Sequence, residues 1–200
     1  GGTASQTITI TVNGANDAPV ANVVPSNTFG SIAEGASFSG TVGSGSGAIP
    51  VSLFATDVDD TRLPSGLCFT GATIGGVAVA SLAAAGISYD AATGAFSIDT
   101  NGIAAYEALG VGETATVVIS FTATDAHGAT SNTGNVTFVV TGTTHAPVVS
   151  LGTTDSDSAP LTETNAALTA SGTLSVTDAD FTDTVSLAVS GVTTSGTFTG

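Results

Sequence analysis

Carboxylates cluster twice in this chain, each time directly after a short run of residues that favour a β-strand. The two clusters are Asp57, Asp59 and Asp60, and Asp178 and Asp180. Like charges packed this closely repel one another, so a positive partner is expected between them. The chain has only one Lys or Arg side chain against 16 Asp and Glu. A metal ion is therefore the expected partner, and Ca²⁺ is the ion that prefers carboxylate and carbonyl oxygens.

The composition favours an all-β fold. Thr and Val are abundant, and β-branched side chains are stiff at χ1 and suit a pleated sheet. The formal net charge of −15 argues against binding nucleic acid or anionic lipid, because both require Lys and Arg. No apolar run approaches 18 residues, so no membrane insertion is predicted. A basic-poor, Ser/Thr/Gly-rich chain of this kind fits a bacterial exoprotein that is held together by metal.

The single cysteine excludes an internal disulfide. Cys68 lies between Leu67 and Phe69, and this apolar setting predicts a small buried side chain. Zinc is not expected, because the chain has only two histidines, far apart in sequence, beside this one cysteine.

A block of sequence occurs twice. Asn-Asp-Ala-Pro-Val at 16–20 matches Thr-His-Ala-Pro-Val at 144–148. Asp17 and His145 are 128 positions apart (145 − 17), and the acidic clusters that follow are 121 apart (178 − 57). The shortfall corresponds to a Gly/Ser-rich insertion at 43–50, which is interpreted as a flexible loop. The chain is therefore predicted to be a tandem array.

The array divides at the two proline-containing linkers. Residues 1–14 are predicted to be the final strand of a preceding repeat, residues 15–142 a complete repeat, and residues 143–200 the start of the next. Apolar residues alternate with Thr or other residues in several segments, as expected for half-buried strands. The alternating positions are Ile8, Ile10 and Val12; Phe96 and Ile98; Val117, Ile119, Phe121 and Ala123; and Val136, Phe138 and Val140.

Several short strands separated by turn signals predict a β-sandwich. Residues 103–109 are expected to form a single helical turn before the strand at 116–124. Tyr106 in that turn resembles the tyrosine corner of immunoglobulin-like sandwiches, in which the hydroxyl bonds back to the backbone. The alternative is a core tyrosine without that bond.

Four motifs together carry a family resemblance. They are Asp-Val-Asp-Asp at 57–60, Tyr-Glu-Ala-Leu-Gly-Val-Gly-Glu at 106–113, Thr-Asp-Ala-His-Gly at 124–128, and the linker Asn-Gly-Ala-Asn-Asp-Ala-Pro at 13–19. In this order they resemble a VCBS-type repeat, a cadherin-like module of large bacterial RTX-type adhesins. The resemblance implies immunoglobulin- or cadherin-like β-sandwich repeats joined by short linkers. It also implies a secreted, calcium-binding protein attached to the bacterial cell surface.

A first Ca²⁺ site is predicted at one end of the complete repeat. Asp57 and Asp59 are alternate residues of an extended strand end, so their side chains point the same way. In a sandwich the loop that carries Asp125 lies at the same end, and the entering linker brings Asn16 and Asp17 there as well. These five residues are the predicted ligands.

A second Ca²⁺ site is predicted at the other linker by analogy with cadherins. Glu34 and Glu107 are expected at the far end of the repeat, where they face Asp178 and Asp180 of the next. His145 stands where Asp17 stands, and imidazole is a poor Ca²⁺ ligand. This site is therefore expected to be weaker, or to recruit Asp155 or Asp157. Asp60 and Asp183 are interpreted as turn residues.

The predicted function is that of a structural spacer in a cell-surface adhesin, with no catalytic residues. Its partners would be the neighbouring repeats, with lateral self-association or a surface ligand as further alternatives. A second hypothesis is a module that binds glycan, mineral or ice through residues 43–50 or 63–86. A third is an accessory domain of a secreted hydrolase.

Overall fold

The computed structural model describes residues 1–23, 29–43, 46–60, 66–162, 164–188 and 191. The described chain is all-β apart from one four-residue helix, α1 (Ala104–Glu107), and two 3₁₀ turns, Val51–Leu53 and Ala83–Ala85. The strands are β1 (Val20–Ala21), β2 (Ser31–Ala33), β3 (Ser37–Gly43), β4 (Ile49–Pro50), β5 (Ala55–Thr56), β6 (Gly66–Ile74), β7 (Val77–Ala78), β8 (Ile87–Asp90), β9 (Ala95–Asp99), β10 (Thr114–Thr124), β11 (Gly134–Thr141), β12 (Val148–Ser150) and β13 (Ser175–Thr177). None of the described helices has the length and apolar character needed to cross a membrane.

Two larger sheets form the body of the fold. One has the strand order β2-β11-β10-β6-β7 and the other β4-β3-β9-β8. β10 pairs antiparallel with both β11 and β6, while β2 joins β11 in parallel. The predicted alternation in β10 is confirmed, because Val117, Ile119, Phe121 and Ala123 are all fully buried.

Aromatic side chains fill the space between the two sheets. Phe69 of β6 lies 5.6 Å from Phe96 of β9, and 4.8 Å from Tyr89 of β8, measured between ring centroids. Phe54 meets Phe121 of β10 edge to face at 5.3 Å. The two sheets therefore pack as the layers of a sandwich around one core, and rings at these distances and angles add to the burial of apolar area.

Tyr106 connects α1 to the 3₁₀ turn at Ala83–Ala85. Its side chain is fully buried, and its hydroxyl donates to the carbonyl of Ala85 at 3.1 Å. The predicted bond to the backbone is therefore present, but its acceptor lies 21 residues upstream. The next residue, Gly86, has φ of 72°, and a Cβ there would overlap the carbonyl oxygen of Asp99. This tight passage requires glycine.

Two predicted strands are wrong. The run predicted as a strand before the first acidic cluster is residues 51–55, but Val51–Leu53 form a 3₁₀ turn that places Phe54 in the core, and pairing begins only at Ala55. The alternating segment at 5–13 forms no strand. Ile8 and Ile10 are each 81% exposed, because no described strand lies beside them to complete a ladder.

Two further predictions need correction. Cys68 is exposed, because Leu67 and Phe69 take the inward positions of β6 and alternation turns the residue between them outward. The insertion at 43–50 is not entirely loop, since β4 pairs in parallel with β3. Much of 63–86 is likewise strand, in β6 and β7, while residues 44–45 and 61–65 lie outside the described part of the chain.

Candidate metal centres at the two linkers

The chain makes the same strand pair after each linker. β1 pairs antiparallel with β5, which sets Val20 opposite Thr56, and β12 pairs antiparallel with β13, which sets Val148 opposite Thr177. The first partners are 128 positions apart (148 − 20) and the second partners 121 apart (177 − 56). These equal the two offsets between the matching sequence motifs.

Each linker is held to its acidic cluster by the same hydrogen bond. The backbone N–H of Asp17 donates to Oδ2 of Asp59 at 2.6 Å, and the backbone N–H of His145 donates to Oδ2 of Asp180 at 2.8 Å. A carboxylate that accepts from backbone N–H groups forms a charge-assisted bond, which is shorter and stronger than a neutral one.

The conformation inside the acidic clusters also recurs. The amide of Asp59 donates to Oδ1 of Asp57 at 2.9 Å, and the amide of Asp180 donates to Oδ1 of Asp178 at 3.1 Å. The first aspartate of each pair therefore uses one oxygen to fix the turn that follows its strand. The amide of Asp60 joins the first turn by a longer bond of 3.3 Å to Asp57.

The five residues predicted as ligands at the first linker form two hydrogen-bonded groups, Asn16 with Asp125, and the backbone of Asp17 with Asp59 and Asp57. Asn16 donates its side-chain amide to Oδ2 of Asp125 at 2.8 Å, while the next linker residue, Asp17, contacts Asp59. Asp125 is 5% exposed, and its Oδ1 accepts the amides of His127 and Ala129. The Asn16 bond, followed by the loop amides against opposing burial, lowers the pKa of Asp125 and keeps it ionised.

The donor chemistry of this cluster suits Ca²⁺. Every side chain offers oxygen, and Oδ2 of Asp57 is buried without a hydrogen-bond partner among the described residues. A buried carboxylate oxygen without a partner lowers the stability of the folded state, and a bound cation would supply the partner. The carboxylates of Asp57, Asp59 and Asp125 nevertheless do not bring three oxygens within 4.8 Å of one another.

At the second linker one imidazole is surrounded by three carboxylates. Nδ1 of His145 lies 2.8 Å from Oδ1 of Asp180. On the other side of the ring, Nε2 lies 3.1 Å from Oε1 of Glu34 and 3.0 Å from Oε2 of Glu107. We call these four residues the imidazole cluster. Within the described chain, Glu34, Glu107 and His145 are the one group that brings three such ligand atoms within 4.8 Å of one another.

Every carboxylate of the imidazole cluster is held by one oxygen and presents the other to the ring. The held oxygens accept backbone N–H groups: Oε2 of Glu34 from Thr143 at 3.0 Å, Oε1 of Glu107 from Gly102 at 2.9 Å, and Oδ2 of Asp180 from His145 itself at 2.8 Å. The ring-facing oxygens are therefore positioned by the backbone and do not depend on the imidazole for their placement.

Burial makes this arrangement electrostatically demanding. The side chains of Glu34 and Asp180 are 2% and 0% exposed, and a buried carboxylate is stable only when it is paired. The hydrogen bond to Asp180 is the main cause that raises the pKa of His145, and the charges of Glu34 and Glu107 raise it further against opposing burial. The backbone and ring N–H groups of His145 in turn lower the pKa of Asp180.

The structure brings together three of the four acids predicted for this site. Asp178 turns its Oδ1 to the amide of Asp180 and does not join the ring. Asp155, predicted as a possible recruit, instead accepts from Ser175 Oγ at 2.6 Å and from the amide of Gly152 at 2.8 Å. Sequence reasoning missed that His145 is the centre of the cluster. The available signal was its place in the position that Asp17 takes in the first linker.

No protein-family model matches this chain, and a search of the curated proteins finds no relative. The resemblance to cadherin-like adhesin repeats therefore rests on the motifs of the sequence itself.

Proposed function

We propose that this chain is a structural spacer of a secreted cell-surface adhesin, built from tandem β-sandwich repeats and stiffened by Ca²⁺ where successive repeats meet. Residues 15–142 are one whole repeat in this proposal, and residues 143–200 begin the next. The chain acts mechanically, by fixing the angle between repeats, and carries no reaction. Neighbouring repeats are its principal partners.

One observation carries the proposal. Both linkers donate a backbone N–H to the second aspartate of an acidic cluster, at 2.6 and 2.8 Å, and both are followed by an equivalent antiparallel strand pair. A contact that recurs at the spacing of the sequence repeat favours modules that are joined in the same way each time. An acidic cluster at each join suits a divalent cation.

The first cluster is the better candidate for Ca²⁺. Its side chains offer oxygen as the ligand atom, and Asp57 has a buried oxygen without a hydrogen bond from any described residue. Extracellular modules bind Ca²⁺ with dissociation constants on the order of 10⁻⁴ to 10⁻³ M. At ten times that constant, an ion that binds only the folded state adds about 1.4 kcal/mol to the free energy of unfolding.

Chelation tests the proposal. We expect EGTA to lower the melting temperature of the 200-residue chain and to shorten its maximum dimension in small-angle X-ray scattering. Millimolar Ca²⁺ should reverse both changes. Asp57→Asn keeps the side-chain shape and the oxygen that accepts the Asp59 amide, but removes the charge. This variant should lose most of the Ca²⁺-dependent rise in melting temperature.

Asp90→Asn is the matched control. Asp90 is also a turn aspartate that accepts a backbone amide, from Ala92 at 2.9 Å, but it lies outside both clusters. Its Ca²⁺ response should equal that of the unaltered chain. The proposal would be abandoned if Ca²⁺ had no effect on the unaltered chain, or if Asp57→Asn and Asp90→Asn responded alike.

A further inference from the structure

Three electron-pair donors converge at one point of the imidazole cluster. Nδ1 of His145 lies 2.8 Å from Oδ1 of Asp180, so a proton on Nδ1 is donated to that carboxylate. Nε2 then faces Oε1 of Glu34 and Oε2 of Glu107 at 3.1 and 3.0 Å. With the neutral ring, all three atoms present lone pairs to one another, and a positive charge between them, either a second ring proton or a bound metal ion, removes the repulsion.

A second observation points to a ligand at the same place. Oε1 of Glu34 is buried and has no hydrogen-bond partner among the described residues, although it lies 3.1 Å from the imidazole. Its side chain is 2% exposed, and its other oxygen is held by the amide of Thr143. The backbone therefore aims at the imidazole nitrogen a buried carboxylate oxygen that makes no hydrogen bond within the described part of the chain.

Asp180 has the position of an outer-shell partner. A metal-binding histidine nearly always donates its second ring N–H to a carboxylate or carbonyl, which fixes the tautomer and the orientation of the ring. Asp180 accepts from Nδ1 of His145, is fully buried, and is itself held by the backbone amide of His145. Such a carboxylate leaves Nε2 as the nitrogen that binds the ion.

The donor set selects the class of ion. Ca²⁺ prefers six to eight oxygen ligands. In this cluster an imidazole nitrogen replaces one of those oxygens, which disfavours Ca²⁺. Zn²⁺ and related first-row ions accept imidazole and carboxylate together in a four-coordinate site. Ligands at about 2.0–2.1 Å from a tetrahedral ion lie about 3.3 Å apart. The N–O separations of 3.0 and 3.1 Å require only a small outward movement to reach that distance.

We propose that the imidazole cluster is a site for a divalent transition-metal ion of the Zn²⁺ class, with Nε2 of His145, Oε1 of Glu34 and Oε2 of Glu107 as ligands. Asp180 is its positioning residue. The second linker thus carries a different kind of cation site from the first. This inference holds whether or not the chain is an adhesin spacer, because it depends only on these four side chains. It differs from the expectation from sequence that zinc has no site here.

Equilibrium dialysis of the whole chain against buffered Zn²⁺ tests the proposal. All proteins carry Cys68→Ser, since Cys68 is exposed and offers a competing thiolate. We expect one bound equivalent, and with Co²⁺ in its place an intense visible absorption of a tetrahedral site. His145→Gln should lose both signals. His127 is the only other histidine and lies in a turn, so His127→Gln should keep both signals.

Two further variants sharpen the result. Asp180→Asn should weaken Zn²⁺ binding by about 10- to 100-fold, the loss typical of an outer-shell partner. His145→Asp gives the second linker the aspartate that the first linker has at position 17. This variant should prefer Ca²⁺ to Zn²⁺. Folding of each variant is checked by near-ultraviolet circular dichroism before dialysis.

No bound Zn²⁺ in the unaltered cluster, or equal binding by His145→Gln, would overturn the proposal. If no Zn²⁺ binds, the imidazole is held in the cluster only by interactions of its own protons with the carboxylates. Neither result would touch the Ca²⁺ response of the first cluster, which Asp57→Asn reports separately.

Discussion

At the scale of single residues, Tyr106 shows how one side chain can join distant parts of the fold. Its ring is fully buried, and its hydroxyl reaches the carbonyl of Ala85, just before the glycine that turns the chain into β8. Removing the hydroxyl would leave that carbonyl without this donor, which costs about 1–3 kcal/mol for a buried group.

The alkaline titration of Tyr106 follows from its burial. Desolvation raises its pKa from 10.0 to about 12. Since the folded-state pKa is above the unfolded value, the stabilisation is complete below about pH 10 and is lost as the pH rises through about 12. We expect tyrosinate absorbance of the native chain to lag behind that of the urea-unfolded chain between these values.

The chain has two tyrosines and no tryptophan. Burial, followed by the charge of Asp90, also raises the pKa of Tyr89, so single substitutions are needed to assign the signal. Tyr106→Phe should remove the late-titrating component, while Tyr89→Phe should leave it. Ionisation of Tyr106 near pH 10 in the native chain would contradict the burial seen here.

At the scale of elements, β10 is the strand on which the larger sheet is built. It is hydrogen-bonded on both sides, and every second side chain from Val117 to Ala123 lies in the core. β-Branched residues supply most of its length, so propensity and burial favour the same structure. A defect on its inner face should therefore cost far more than one on its outer face.

A pair of variants on β10 tests this contrast. Phe121→Ala should lower the free energy of unfolding by about 3–5 kcal/mol, because Phe121 is fully buried against Phe54 and Phe69. Thr116→Ala, on an exposed position of the same strand, should cost less than about 1 kcal/mol. Urea denaturation measures both, and similar losses for the two variants would contradict the assignment of the inner face.

At the scale of the whole molecule, the second linker connects the sandwich to a small two-stranded antiparallel sheet. β12 and β13 belong to neither large sheet, and the amide of Phe181 donates to the carbonyl of Ala108 at 3.3 Å. Gly142 lies where a Cβ would overlap the carbonyls of Leu109 and Gly110, so the linker passes close to the loop after α1. The imidazole cluster also lies where this linker and strand pair meet the sandwich.

Glu107→Ala should loosen this attachment without unfolding the core. Glu107 is one of the two acceptors that face Nε2 of His145, and its side chain is 31% exposed, so the expected loss is only about 0.5–1 kcal/mol. In a chelating buffer, hydrogen exchange of amides at 175–183 should become about two- to five-fold faster. Amides of β10 should not change.

Asp90→Asn again serves as the control, because it removes a charge in a turn that is remote from the linker in sequence. Faster exchange throughout β10 and β11 in Glu107→Ala would show instead that Glu107 supports the sandwich as a whole.

The sequence by itself determined which segments are strands where alternation is long, as in β10 and β11, because a period of two fixes which side chains can be buried together. It also located both acidic clusters and their linkers, because charge in a chain so poor in Lys and Arg requires a local cause. Short or unpaired segments were not decided in this way. Residues 51–53 form a 3₁₀ turn and residues 5–13 form no strand, since pairing depends on a neighbouring strand that local sequence does not specify.

Only the tertiary structure decided that His145 is the centre of the second cluster. Glu34, Glu107 and Asp180 come from three elements far apart in sequence, and backbone amides aim one oxygen of each at the ring. Spacing along the chain places a histidine in a linker, but the chemistry of that histidine depends on which carboxylates the fold brings around it and how deeply it buries them.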